Sequence, residues 1–203
     1  VHMSRGLGDV YKRQVLNYDG IKVDTSSETG NYGSWLLDPT NLTVGSSEAS
    51  TYVSNLASTN VNVTADNTIT VNSAISYGGG RSNGTLTFTS TSTVLNANVG
   101  SSSNSLNVVF ASAVKLGEDI TINTRGGDLT LNSTLDSNTS TAKGLTVSGS
   151  SGTDTFSGNI GSTYRLSGID VTAGTINICG NISTDASAGT YSTSSLGAAG
   201  WIR

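Results

Sequence analysis

The feature that most constrains the fold is a strict alternation of apolar and polar residues in many short segments. It is clearest at residues 60–64, 68–71, 85–89, 119–123, 128–132 and 175–178. Each segment places its apolar side chains on one face and mainly Thr or Asn on the other, as a strand with one buried face requires. No window of comparable length shows helical spacing. The sequence therefore predicts an all-β fold with little helix.

The composition is polar without being highly charged. Ser, Thr, Asn and Gly make up about half of the 203 residues, and only 12% of the residues are charged. Ordinary globular domains are nearer a quarter charged, and chains that stay disordered through charge repulsion are far more charged than this one. Apolar residues recur along the whole chain, and Pro39 is the only proline. The chain is therefore predicted to fold.

Short strands separated by frequent turns fit either a parallel β-solenoid or an antiparallel β-sandwich. Turn signals lie at residues 78–80, 82–84, 125–128, 149–152 and 185–189. The solenoid, or parallel β-helix, is favoured because Asn, Ser and Thr side chains stack on their own kind from coil to coil, and Gly permits tight turns. Coils of about 20 residues predict about nine coils. The sandwich remains the alternative.

The first fourteen residues differ from the remainder. Residues 1–14 contain the only His and the only Met, and they contain no Thr or Asn. The run from Gly6 to Gln14 resembles a translated sequencing-adapter remnant, so residues 1–14 are expected to be non-native and are excluded from fold reasoning. The expected domain organisation is a single solenoid segment over residues 15–203.

Charge and hydropathy exclude two classes of partner. The formal net charge is −4, and the ten Lys and Arg residues are too few and too scattered to neutralise a phosphate backbone. No apolar run approaches the length of about 18 residues that spans a bilayer. Binding of nucleic acid and insertion into a membrane are therefore not expected.

No catalytic residue, cofactor site or metal site is predicted. His2, the only histidine, lies in the suspected artefact, so hydroxyl nucleophiles have no histidine base. The lone Cys179 follows a predicted strand and is expected to be half-buried and structural. Residues 149–157 nearly fit a Gly-rich calcium repeat, but a single imperfect copy predicts a turn.

A carbohydrate-active β-helix enzyme, a polysaccharide lyase or hydrolase, is the alternative hypothesis. Glycoside hydrolysis needs two carboxyl groups beside the scissile bond. Isolated carboxylates are expected to be turn-forming or solvated, and the neighbours Glu118 and Asp119 are expected to point to opposite faces of a strand. The enzyme hypothesis predicts that several carboxylates converge in one groove, from the set Asp66, Glu118, Asp128, Asp154 and Asp170.

Two passages resemble filamentous haemagglutinin-like bacterial adhesins. The first is Val23–Gly30 followed by Ser34-Trp35-Leu36-Leu37-Asp38-Pro39 and the strand Asn41–Val44. The second is Gly168–Ile178 with Ile182–Thr184 and Gly189–Tyr191. Trp35 is expected to cap or pack against the solenoid interior, and Asp38-Pro39 is expected to set a turn.

The resemblance implies a right-handed parallel β-helix, exported through an outer-membrane partner transporter and displayed on the cell surface as a rod. It implies a non-enzymatic role in cell adhesion, with ligands on host or neighbouring cells that include glycans. The chain contains no Asn-Pro-Asn-Gly secretion-domain signature. An internal shaft segment of a secreted adhesin is therefore the expected function.

Overall fold

The computed structural model describes residues 17–28 and 31–184 and the backbone of one strand at 192–195. This part of the chain contains eighteen strands and one α-helix. In chain order the elements are β1 (Ser34–Leu37), β2 (Leu42–Val44), α1 (Ser46–Asn55), β3 (Asn60–Thr64), β4 (Thr68–Val71), β5 (Ile75–Tyr77), β6 (Gly84–Thr89), β7 (Ser92–Leu95), β8 (Val99–Ser101), β9 (Leu106–Phe110), β10 (Ala113–Leu116), β11 (Ile120–Asn123), β12 (Leu129–Leu131), β13 (Leu135–Ser137), β14 (Gly144–Ser148), β15 (Thr153–Phe156), β16 (Gly168–Ala173), β17 (Thr175–Ile178) and β18 (Ser192–Ser195). The predicted segment 1–14, the predicted turn at 185–189 and Tyr191 lie outside the described residues.

The strands form three parallel sheets, and successive strands along the chain belong to different sheets. Sheet A has the order β1-β3-β6-β9-β12-β15-β17, sheet B has β13-β10-β7-β4-β2, and sheet C has β18-β16-β14-β11-β8-β5. Each strand pairs with the strand one coil before or after it, so the chain winds through the three sheets in turn. The predicted parallel β-solenoid is confirmed, and the parallel pairing excludes the antiparallel sandwich.

The coils are longer and fewer than predicted. Val108 pairs with Leu129 in the next coil, and Trp35 pairs with Val61 in the next coil. In both pairs the sequence separation is larger than the predicted coil length, and it is larger for Trp35 and Val61 than for Val108 and Leu129. The described residues form about six turns, which at about 4.8 Å per coil give a height of about 30 Å. The described residues form fewer coils than a 20-residue repeat predicts, because the corner loops, such as residues 138–143, lengthen the coils by different amounts.

The six strands predicted from alternation are all present, and their apolar faces form one continuous core. In β3, for example, Val61 and Val63 are fully buried, whereas the alternating residues Asn60, Asn62 and Thr64 are half-buried. Stacking in register brings like side chains together. Phe88 and Phe110 stack face to face with ring centroids 5.1 Å apart and planes inclined by 10°. The period-two pattern thus becomes columns of apolar side chains along the axis.

Amide and carboxylate side chains link consecutive coils at the corners. The side-chain amide of Asn96 donates to Oδ1 of Asn72 over 2.8 Å, one coil earlier. Oδ1 of Asn98 accepts the backbone N–H of Thr121, and Oδ1 of Asp128 accepts that of Thr153, at 2.8 Å and 2.7 Å. The last two bonds satisfy backbone donors near the starts of β11 and β15. The high Asn, Ser and Thr content is therefore part of the fold.

Helix α1 takes the place of a third strand in the first coil. It begins after Gly45, whose backbone N–H donates to Oε2 of Glu48 over 2.9 Å, and it packs beside β5 and β2. Asn55 anchors the preceding segment 17–28, because its side chain donates to the carbonyl of Ile21 over 2.7 Å and accepts the N–H of Val23. This helix was not predicted, since its apolar positions are too few to produce a helical pattern.

An aromatic cluster of Tyr18, Trp35 and Tyr52 joins that segment, β1 and α1. The Trp35 ring lies edge-on to both tyrosine rings, with centroids 5.9 Å from Tyr18 and 6.3 Å from Tyr52. The two tyrosine hydroxyls share a buried hydrogen bond of 2.6 Å, and burial raises the pKa of Tyr18 to about 12. Trp35 thus packs against the core as predicted, and Pro39 lies in the turn between β1 and β2.

Replacing Tyr52 by Phe tests the contribution of this cluster to stability. The substitution removes one hydroxyl and leaves the buried hydroxyl of Tyr18 without its 2.6 Å partner. The free energy of unfolding, measured by urea denaturation, should fall by about 1–2 kcal/mol. Tyr164→Phe is the control, because Tyr164 is 43% exposed and its substitution should change stability by less than about 0.5 kcal/mol. Equal effects of the two substitutions would contradict a structural role for the buried pair.

Candidate functional site

The outer face of sheet C carries a concave surface, here called the C groove. Its first section has a volume of about 370 Å³ and crosses β11, β14 and β16. Its second section has a volume of about 340 Å³, reaches β5 and β8, and shares Thr121 with the first. The first section is lined by Asp119, Ile120, Thr121, Gly144, Leu145, Thr146, Ser167, Gly168, Ile169 and Asp170. The two sections together follow the solenoid axis across five strands.

Strand register gives the C groove its polar character. Ile120, Leu145 and Ile169 are paired across adjacent strands and point into the core. Because side chains alternate across a strand, the next residues point outward. Thr121, Thr146 and Asp170 accordingly form a column on the outer face. The groove floor is therefore built from small hydroxyl residues that end at a carboxylate.

Side chains at the rim of the first section are held by short polar contacts. Oδ1 of Asp119 accepts the backbone N–H of Gly144 over 2.7 Å, which fixes the carboxylate at the start of the groove. Beside it, the ammonium group of Lys143 contacts Oε2 of Glu118 at 2.6 Å, and this hydrogen bond raises the pKa of Lys143. Glu118 is 63% exposed, so the contribution of this surface ion pair to stability is small. Its main effect is to hold the rim in place.

The carboxylates named by the enzyme hypothesis do not converge. Of Asp66, Glu118, Asp128, Asp154 and Asp170, only Asp170 lines the C groove. Asp66 lies between β3 and β4, Asp128 precedes β12, and Glu118 belongs to the rim. Asp119 lines the groove with Asp170, and the two lie two coils apart. Sequence reasoning missed this pair because the coils between them have unequal lengths.

Asp154 is buried in the core, so the prediction that it is turn-forming or solvated is wrong. It occupies an inward position of β15 between Leu129 and Ile176 of the adjacent coils, and it is 0% exposed. Oδ1 accepts the backbone N–H of Leu129 over 3.2 Å, whereas Oδ2 has no hydrogen-bond partner. Burial, opposed by the hydrogen bond from Leu129 and assisted by the nearby Asp128 charge, raises the pKa of Asp154 to about 6.

A second unpartnered oxygen lies in the same corner of the core. Oγ1 of Thr124 is buried and has no hydrogen-bond partner. A Cβ atom placed on Gly149 would lie 3.0 Å from this oxygen and 3.4 Å from Oδ2 of Asp154. The absent side chain of Gly149 therefore leaves space between two buried polar atoms. Residues 149–152 of the near-repeat form the turn at this corner, whereas residues 153–156, which were also predicted as turn, form β15.

Neither a metal cluster nor a buried thiol occurs in the part of the chain that the structure describes. No group of three or more His, Cys, Asp or Glu side chains there is placed to hold a metal ion. Cys179 follows β17 as predicted, but it is exposed rather than half-buried. The C groove is the candidate functional surface.

Comparisons with known proteins identify no relative. Within the described residues, no helix has the length and apolar character needed to cross a membrane. No protein family, no curated protein and no solved structure matches this chain.

Proposed function

We propose that the chain is a non-enzymatic structural segment of a secreted, cell-surface bacterial adhesin that extends or presents binding regions. The observation that carries the proposal is the continuous core beneath three in-register parallel sheets. Each coil is hydrogen-bonded to the next, so the solenoid sets a fixed distance between whatever lies at its two ends. The resemblance of the Trp35–Pro39 passage to filamentous haemagglutinin-like adhesins supports the same role.

Export by an outer-membrane partner transporter and contact with host or neighbouring-cell surfaces belong to this proposal. The surface of the solenoid suits such exposure. Its outward positions are mostly Ser, Thr and Asn, and large hydrophobic residues are exposed in the described part of the chain only at Ile21, Leu36 and Tyr164. Such a surface limits non-specific association of a displayed rod.

Spin labels on sheet A test the spacer role. Asn62 and Asn177 point outward in one column, separated by five strand spacings of about 4.8 Å each, or about 24 Å in total. Asn62→Cys and Asn177→Cys in a Cys179→Ser background should give one narrow distance distribution near this value. A broad distribution would contradict a rigid spacer. Attaching a binding region beyond the chain should increase the adhesion of a bacterium that displays it.

The carbohydrate-active enzyme remains the second candidate because Asp119 and Asp170 line one groove. Incubation of the purified chain with linear neutral and acidic polysaccharides separates the two functions. The spacer function predicts no new reducing ends and no unsaturated products. Cleavage that is lost in both Asp119→Asn and Asp170→Asn would establish the enzyme and overturn the structural role.

A further inference from the structure

The C groove has the length, shape and lining of a site for an extended polymer. Its two sections cross β5, β8, β11, β14 and β16, which corresponds to about 19 Å along the solenoid axis at about 4.8 Å per strand. The side chains that rise from its floor are short, and Gly144 and Gly168 contribute none. A ligand can therefore lie along the axis without displacing a bulky side chain.

The lining is hydrogen-bonding and weakly acidic. Two basic side chains lie beside it, where Lys143 is paired with Glu118 and Arg125 donates to the carbonyl of Ser102. Ser76, Asn98, Thr121 and Thr146 supply hydroxyl and amide groups, and Asp119 and Asp170 supply carboxylates. No Lys or Arg lines either section. Asn98 and Asp119 are already oriented by the backbone N–H groups of Thr121 and Gly144, so their positions are set before any ligand arrives.

Three classes of extended polymer do not suit this surface. Nucleic acids and acidic glycans carry negative charge toward two carboxylates on a chain of net charge −4. A peptide that adds as a strand needs unpaired backbone groups, whereas β11 and β14 are paired with neighbours on both sides. A hydroxyl-rich uncharged chain satisfies the lining, because its hydroxyls donate to the carboxylates and exchange hydrogen bonds with Ser, Thr and Asn.

We propose that the C groove binds a linear, neutral glycan along the solenoid axis without cleaving it. The proposal deepens the adhesin function and rests on it for the absence of cleavage. Recognition is centred on the column of Thr121, Thr146 and Asp170, with Asp119 at the start of the groove. The rod then acts as a binding surface along its side as well as a spacer.

Titration calorimetry of the purified chain with two hexasaccharides tests this ligand class. The probes are a neutral β-linked glucan hexamer and an acidic hexagalacturonate. The neutral hexamer should bind, and the acidic hexamer should bind at least tenfold more weakly because it faces two carboxylates. Equal or tighter binding of the acidic hexamer would overturn the proposed ligand class, and failure of the neutral hexamer to bind would overturn the site.

A matched pair of substitutions locates the site. Thr146→Arg places a long side chain in the middle of the C groove, and affinity for the neutral hexamer should fall at least tenfold. Thr130→Arg makes the same change on the outer face of sheet A and should leave affinity within twofold. Asp170→Asn should weaken binding about tenfold through loss of a charged acceptor. Equal losses in Thr146→Arg and Thr130→Arg would overturn the location.

Chromatography of the same mixtures detects cleavage products, so the glycan site and the non-enzymatic structural function can be tested separately. Binding without product formation supports both the glycan site and the structural function. No binding by a folded chain overturns the glycan site and leaves the structural function standing. Product formation overturns the structural function, whichever probe is bound.

Discussion

Replacing Phe110 by Ala should lower the free energy of unfolding by about 3–5 kcal/mol. Phe110 is 0% exposed and stacks on Phe88, so truncation removes both its own burial and the ring contact at 5.1 Å. Neighbouring coils are fixed by their hydrogen-bonded register, which limits collapse around the cavity. Because domains are stable by only about 5–15 kcal/mol, urea denaturation should show a large drop in the midpoint.

Leu36→Ala is the control for this experiment. Leu36 lies on the outward face of β1 and is 60% exposed, so its truncation should cost less than about 0.5 kcal/mol. A fall of less than about 1.5 kcal/mol for Phe110→Ala would contradict a tightly packed aromatic column. A similar fall for both substitutions would indicate that the outward face of β1 is covered.

Replacing Asp154 by Asn should stabilise the protein at pH 8 by up to about 3 kcal/mol. Burial raises the pKa of Asp154 from 3.8 to about 6, so the folded state disfavours the ionised carboxylate. Each pKa unit corresponds to about 1.4 kcal/mol. The Asn side chain still accepts the N–H of Leu129 and carries no charge. Asp154→Leu should stabilise further, because it continues the column between Leu129 and Ile176.

The stability gained by Asp154→Asn should decrease as the pH falls. Above about pH 6 the carboxylate is ionised in both states, and the wild-type chain carries the full destabilisation. Between pH 6 and 4 the folded state binds a proton that the unfolded state does not, so wild-type stability rises relative to Asp154→Asn as the pH falls. The difference between the two chains should therefore almost vanish at pH 4.

Urea denaturation at pH 8, 6 and 4 measures this difference directly. Asp170→Asn is the matched control, since Asp170 is exposed on the outer face of sheet C and its substitution should change the free energy of unfolding by less than about 0.5 kcal/mol. A difference for Asp154→Asn that is the same at pH 8 and pH 4 would show that Asp154 is not desolvated in the fold.

The alternation of apolar and polar residues was sufficient to predict six of the eighteen strands in the described residues, because period-two patterns directly report which side of a strand meets the core. It was insufficient for Asp154. A carboxylate at an inward position looks like a turn residue unless the register with Leu129 is known. Helix α1 was missed for a related reason, since it is held by packing beside β5 rather than by its own pattern.

The C groove depends on the register between strands of consecutive coils. Thr121 pairs with Thr146, and Thr146 pairs with Asp170. Fewer residues separate Val108 from its partner Leu129 in sheet A than separate the members of these two pairs. A single coil length applied to the whole sequence therefore does not place Thr121, Thr146 and Asp170 in one column. The sequence shows each of these residues, but their position on one face of sheet C depends on the lengths of the corner loops.

Helix α1 has a consequence for how copies of the solenoid meet. An open parallel sheet offers unpaired N–H and C=O groups at its edge, and such an edge templates addition of a foreign strand. A helix satisfies its backbone internally, and α1 lies beside β5, the strand at one edge of sheet C. Stacking of another chain on that edge is therefore blocked by a layer that offers no strand template. Helix α1 therefore disfavours the addition of further strands to this edge of sheet C, although β5 contains no charged residue that would repel them.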